Sequence, residues 1–260
     1  MIKFHKIENL AGIIFFVILF SVMNIVMGQP TNDFQIIKKR FKETLPAGKQ
    51  NIEHIKQLLI YQEKDGSWED INYSDKKAAD WNGRYHWYRL RDLAIFCKNN
   101  PEHEYVLDAL EAIDKGMEYW FKNSPRSSNW WHNQIAVPRT IGETCLLIED
   151  HLKEKQLETT IKYMYGIKGD RIYYIREDYA TGQNLIWFSE IDLMGGLLQQ
   201  DSTRINIALN NIGGEIAIKE KEGIKHDFGF HQHGPHLYSG GYGNSFTVDI
   251  ARFIYLVSGT

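Results

Sequence analysis

Cysteine is nearly absent from this 260-residue chain, and Cys97 and Cys145 are too few for a disulfide scaffold. Proline is scarce, with six residues, and no low-complexity linker or composition break follows residue 30. A surplus of positive charge is missing too. The formal net charge of −3 provides no overall basic field for nucleic acid or any other polyanion. A tetratricopeptide-like motif recurring every 34 residues is not found, which argues against that array. Hydrophobic residues at 43% and charged residues at 24% exclude disorder, collagen and a multi-span membrane protein as descriptions of the whole chain. What the chain does have is aromatic rings: 13% of residues, with seven Trp and fourteen Tyr.

The one long apolar run is at the start. Lys3, His5 and Lys6 precede Ala11–Val26, and Met27-Gly28 then leads to Gln29-Pro30. This is the pattern of a secretory signal, and the run of about 16 residues is short of the roughly 20 needed to span a bilayer. The expectation is a signal peptide over residues 1–28, a secreted or periplasmic protein, and no stable membrane insertion after cleavage. An uncleaved anchor is the alternative. Whether Cys97 and Cys145 pair stays open, because Cys97 sits in an apolar helical run where a buried free thiol is equally natural.

Residues 29–260 read as one domain. Phe34, Ile37, Phe41 and Leu45, then Ile52, Ile55, Leu58 and Leu59, recur at helical spacing, with Pro46-Ala-Gly48 bending or splitting the run. Further helices are predicted over 76–98, 102–122, 140–152, 157–165, 183–200, 203–219 and 244–257. Asp65-Gly-Ser67 marks a turn. Strand signals are few, the best being Arg171-Ile-Tyr-Tyr-Ile175. Helical hairpins without sequence identity suit an all-α curved stack or toroid, whose helix-end loops line one face.

Three segments resist a purely structural explanation. Asn129-Trp130-Trp131-His132-Asn133 places two indoles side by side, and a single helix face cannot bury both. One core Trp and one surface Trp is the plain explanation. The functional one is a stacking platform for sugar C–H faces, with amide and imidazole groups at its rim. In Ala180-Thr-Gly-Gln-Asn184-Leu-Ile-Trp187, Asn184 stands near a helix start, where it serves either as a cap or as a ligand. The third segment runs from His226 to Asn244. It holds His226, His231, His233 and His236, then Tyr238 and Tyr242 among glycines. A metal site is considered, but no clustered Asp, Glu or Cys completes the ligand set. Hydrogen-bonded loop histidines are a second explanation. A loop shaped by Gly234-Pro235 and Gly240-Gly241 to aim His233 and Tyr242 into a cleft is a third.

Taken together, these segments resemble the helical domain of polysaccharide lyase family 8, which includes chondroitin AC, hyaluronate and xanthan lyases. The resemblance runs from about residue 35 to the end and is strongest over 129–139 and 181–260. It rests on Asn-Trp-Trp, on an Asn before an apolar-Trp segment, and on Gln232-His-Gly234 with Tyr242 nine residues after His233. The resemblance implies an (α/α) toroid of helical hairpins. It implies that Asn184 binds a uronate carboxylate, that His233 and Tyr242 are catalytic, and that Asn129, Trp130 and Trp131 bind substrate. His231, His236 and Tyr238 are not at family catalytic positions and stand as cleft-lining candidates. The family also uses a later Arg and a Glu from a β-rich region. The expectation is therefore an incomplete toroid without the C-terminal β-sandwich domains, and little or no lyase activity from residues 29–260 alone.

The chemistry suits these residue types on its own terms. β-Elimination removes the C5 proton of a uronate, expels O4 and leaves a C4=C5 double bond. An amide such as Asn184 hydrogen-bonds the carboxylate and so eases loss of that proton. Tyrosine, with an ordinary pKa of about 10, needs a neighbour that favours phenolate if it is to act as base. The scheme requires no cofactor and no metal. The expected partner is an anionic polysaccharide and not nucleic acid, with Arg84, Arg89, Arg91 and Arg139 as local basic candidates. Two other functions stay open. One is an α/α-barrel glycoside hydrolase drawing on Asp80, Asp92, Asp192 or Glu190. The other is a non-catalytic glycan-binding module using the Trp pair.

Overall fold

Amphipathic spacing accounts for the first two helices. The structure, a computed structural model, describes residues 32–45, 51–166 and 180–260. Helix α1 (Asn32–Thr44) buries Ile37 and Phe41, and Leu45 is buried just beyond its end. Helix α2 (Ile52–Ile60) buries Ile55 and Leu58 and starts at Asn51, whose side chain accepts from the Glu53 N–H at 3.0 Å. The expected break at Pro46–Gly48, the signal segment and the strand candidate 171–175 all lie outside the described residues.

The helix expected over 76–98 begins nine residues later. Helix α3 (Tyr85–Asn99) follows a single 3₁₀ turn, Asn82–Arg84. The Asp75 carboxylate accepts from the N–H groups of Lys77 at 3.0 Å and Asn82 at 3.1 Å, while Trp81 Nε1 donates to the Asp75 carbonyl at 3.0 Å. These local bonds offer the backbone an alternative to the helix ladder. Trp81 is nevertheless fully buried, held there by the loop. Helix α4 (Val106–Asn123) starts four residues later than expected, after turns closed by His103 and Val106 N–H groups.

Helices α5 (Val137–Leu147) and α6 (Glu154–Met164) follow, each starting three residues before the expected span and ending before it does. Helix α7 (Gly182–Gln199) is buried along nearly its whole length, and α8 (Ser202–Glu215) is capped by the Asp201 side chain on Arg204 N–H. A two-stranded antiparallel pair, β1 (Gly223–Ile224) and β2 (Phe230–His231), leads into the histidine-rich stretch, where no strand was expected. Its turn is made by the Asp227 side chain, which accepts from Gly229 N–H at 2.9 Å. Helix α9 (Asn244–Val257) matches its expected span.

The packing order defines the architecture. Helix α3 packs on α5, α5 on α7 and α7 on α9, while α4, α6 and α8 pack behind α3, α5 and α7 respectively. Helix α1 lies against both α9 and α5. This is an all-α curved row of helical hairpins, an incomplete toroid, as the sequence led us to expect. Cys97 and Cys145 are free and buried, and burial pushes both thiols up to about 12. Among the described residues, no helix is long and apolar enough to cross a membrane.

Candidate active site

The loop carrying His233 is fixed by its neighbours. Gln232 is fully buried; its Oε1 accepts from Gln183 N–H at 3.0 Å, and its Nε2 donates to the Thr181 carbonyl and to Glu222. Glu222 also accepts from Thr181 Oγ1 at 2.7 Å and Gly234 N–H at 2.8 Å. One carboxylate thus clasps the loop to the start of α7. His233 has φ +57° and Gly234 has φ +80°. A left-handed histidine is strained by about 1–2 kcal/mol, and such strain collects where a side chain must be aimed. At the facing end of α7, Gly182 (φ +55°) leaves no room for a side chain, since a Cβ there would lie 2.5 Å from Gln232 Oε1.

Tyr242 sits in a π-helical turn, Ser239–Gly243, that leads into α9. Its ring meets His233 edge-on, with centroids 5.0 Å apart and planes at 89°. Tyr238 packs against it at 5.1 Å and Trp187 at 5.6 Å. Trp187 in turn meets Trp131 at 5.5 Å, and Trp130 stacks on Phe188 at 6.5 Å with planes 15° apart. The half-exposed Trp130 and the more buried Trp131 therefore divide between surface and wall. Asn129 accepts from Trp131 N–H at 3.0 Å and donates to the Ala78 carbonyl at 3.2 Å. Its side chain is occupied in shaping the Trp turn.

Asn184 lies in the first turn of α7, but Thr181 occupies the cap position, so capping does not explain it. Its Oδ1 is buried without a hydrogen-bond partner. A half-turn of the amide puts N–H there instead, so in either orientation one buried polar group lacks a partner at this position. Because Gln183 is bonded to Gln232, Asn184 and His233 follow directly on two linked residues. Tyr242 is pushed above the ordinary tyrosine value by burial, by Tyr238 and by Glu222, so the phenol keeps its proton at neutral pH.

The charged candidates fare differently. Arg84 pairs with Asp80 at 2.9 Å, Arg91 with Glu143 at 2.8 Å, and Arg89 is bidentate on Asp70. Arg139 binds Glu190 through Nε at 2.7 Å and Nη2 at 2.6 Å. The four arginines expected to meet an anionic chain are thus all committed to carboxylates. The carboxylates considered for a hydrolase are paired as well: Asp80 with Arg84 at 2.9 Å, Asp92 with His54 at 3.2 Å, Asp192 with Arg204 at 3.3 Å, and Glu190, fully buried, with Arg139 and Arg252. His236 holds the loop through its carbonyl, which accepts from Gln232 N–H, and His231 pairs in β2. Among the described residues, no group of three or more His, Cys, Asp or Glu side chains is placed to hold a metal. The roles of Gln232 and Glu222 escaped sequence reasoning. Both are ordinary polar residues whose importance lies in partners 10 to 51 positions away.

A row of helical hairpins thus ends in an aromatic wall that carries an imidazole and a phenol, with an amide at the adjoining helix start. The family model described as polysaccharide lyase family 8, N terminal alpha-helical domain, matches residues 24–260, and the chain belongs to that family. It is 26% identical over 249 residues to chondroitinase-AC of Pedobacter heparinus, covering 94% of this chain and 35% of that protein. It is 25% identical over 221 residues to xanthan lyase of Bacillus sp. (strain GL1), covering 77% and 23%. Among solved structures, a chondroitinase AC lyase studied as enzyme–oligosaccharide complexes superposes with a TM-score of 0.78 at 24% identity, covering 88% of this chain and 34% of the other. Paenibacillus xanthan lyase gives 0.69 at 19%, covering 89% and 24%. The chain spans about a third of the length of the first of these relatives and less of the second.

Proposed function

We propose that this chain carries the catalytic face of a polysaccharide lyase that cleaves uronate-containing chains of the chondroitin or hyaluronan type by β-elimination. The observation that supports this most is the perpendicular contact of His233 and Tyr242, with Asn184 on the adjoining helix end. Asn184 hydrogen-bonds the uronate carboxylate and spreads the charge that develops as C5–H breaks. The freed electron pair forms C4=C5, the C4–O4 bond breaks, and O4 takes up a proton. Tyr242, protonated in the free protein, is suited to supply that proton. His233 accepts the C5 proton directly or relieves Tyr242 of its own as substrate binds. Trp130 and Trp131 bind sugar faces, and Asn129 shapes their turn.

Among the described residues, the arginines touching this wall are paired, so no free cation stands beside Tyr242 to favour phenolate. The 260-residue chain is therefore expected to turn over slowly on its own. Incubation with chondroitin or hyaluronan should give a small rise in ultraviolet absorbance from the unsaturated product, abolished by Tyr242→Phe. New reducing ends without that absorbance would replace this reading with hydrolysis. Binding without any product, unaffected by Tyr242→Phe, would leave a glycan-binding module. We further infer export outside the cytoplasm with residues 1–28 removed. A mature N-terminus near Gln29 in protein recovered from periplasm or medium checks this.

A further inference from the structure

Four charges lie beneath the aromatic wall on three helices. Glu190 of α7 is bound by Arg139 of α5 and Arg252 of α9. Burial alone would raise its pKa, but the two guanidiniums hold it below the ordinary carboxylate value. Asp249 of α9 completes the group, 3.4 Å from Arg252 and 3.9 Å from Arg139. Removing four ions from water is costly, and well-packed apolar side chains in their place are often no less stable. A buried ionic group of this kind is therefore better explained by the geometry it imposes than by stability.

Asp249 is the member of the group that also bonds the aromatic wall. Its Oδ2 accepts from Trp187 Nε1 at 3.0 Å and from Gln183 Nε2 at 2.6 Å. Both donors lead to the candidate catalytic pair. The Trp187 ring backs Tyr242, and Gln183 N–H holds Gln232, the residue before His233. Arg139 lies over the Trp187 ring, 5.7 Å from its centroid. The indole is thus gripped at its N–H and on one face, while Tyr242 and Trp131 pack against it elsewhere.

We propose that Asp249 is a positioning residue for the reaction assigned above: through Trp187 and Gln183 it sets the wall against which Tyr242 and His233 are held. This rests on the reading of the cleft given under Proposed function. Asp192 provides the matched control. It is a buried carboxylate on the same helix as Trp187, paired with Arg204 at 3.3 Å.

The test uses the full chain with ¹³Cζ-tyrosine and ¹⁵N-indole labels, Tyr242→Phe and Trp187→Phe to assign the signals, and an unsulfated chondroitin hexasaccharide as ligand. Asp249→Asn should displace the Trp187 indole signal, lower the Tyr242 titration midpoint toward the ordinary tyrosine value as water reaches the ring, and weaken hexasaccharide binding about tenfold. Asp192→Asn should lower the melting temperature and leave the Tyr242 midpoint in place. An unchanged midpoint in Asp249→Asn, or an equal shift in Asp192→Asn, overturns the proposal. If Asp249→Asn does not fold, Trp187→Phe decides: removing the indole N–H should lower the same midpoint, and no change sinks the idea. If the unaltered chain does not bind the hexasaccharide, the uronate reading of the cleft fails, while the Tyr242 midpoint still decides whether Asp249 positions it.

Discussion

The molecule contains two clusters of histidine, tyrosine and tryptophan built from the same residue types, and they are wired in opposite ways. In the first, His86 is fully buried between α3 and α4; its Nδ1 meets Tyr73 Oη at 2.9 Å and its Nε2 meets the Gly116 carbonyl at 2.9 Å. Tyr119 and Trp120 pack on its ring. In the second, His233 is exposed and left-handed, and among the described residues its ring meets Tyr238 and Tyr242. A histidine with both nitrogens satisfied is part of the core. One held by its backbone, with no ring-nitrogen hydrogen bond among the described residues, is placed to act on something else. Residue type alone does not separate the two.

The sharpest way to break this comparison is from below. Glu190→Gln leaves two buried guanidiniums facing a neutral amide and should cost about 3–5 kcal/mol in urea unfolding. A loss under about 1 kcal/mol would mean that α5, α7 and α9 are held by apolar packing alone. His86→Ala should cost about 3 kcal/mol, since it leaves a cavity and two orphaned partners. His233→Ala should stay within about 0.5 kcal/mol. Equal losses would erase the distinction.

Acid sharpens it further. Burial pushes His86 down to about 3 from the ordinary 6.5. The unfolded chain binds a proton at this residue between those values and the folded one does not. The contribution is fully present above pH 6.5 and is lost as pH falls toward 3. The loss at pH 5 should reach about 2 kcal/mol. A pH series of unfolding curves in which His86→Phe fails to flatten that slope would remove His86 as its source. The smallest expected effect on stability is that of Tyr242→Phe, within about 0.5 kcal/mol. Oligosaccharide affinity should hold within about twofold by calorimetry while turnover disappears.

Most of the helices were legible because apolar spacing reports a buried face whatever the neighbour is, as Phe34, Ile37, Phe41 and Leu45 illustrate. The pattern misled at 76–81 because Trp81 is apolar and buried yet held by an Asp75-centred loop, and spacing cannot tell a helical burial from a looped one. The β1–β2 pair was hidden for a related reason, being two residues long and set by the Asp227 turn. Of the site, the unusual residues were visible: adjacent indoles, clustered histidines, and glycines at 182 and 234 that take positive φ. The pairing of the basic candidates was not legible, because an arginine's charge is visible in sequence and its partner is not.

By itself, the sequence determined the class of fold and the family, because each follows from local spacing or from a short run of uncommon residues. Only the tertiary structure decided which of the candidate side chains are free to meet a ligand. It committed Arg84, Arg89, Arg91 and Arg139 to carboxylates, spent Asn129 on a turn, left Asn184 without a partner, and placed Asp249 under Trp187. The physical reason is that hydrogen bonds and ion pairs act over a few ångströms in space, and these join residues as far as 62 positions apart along the chain.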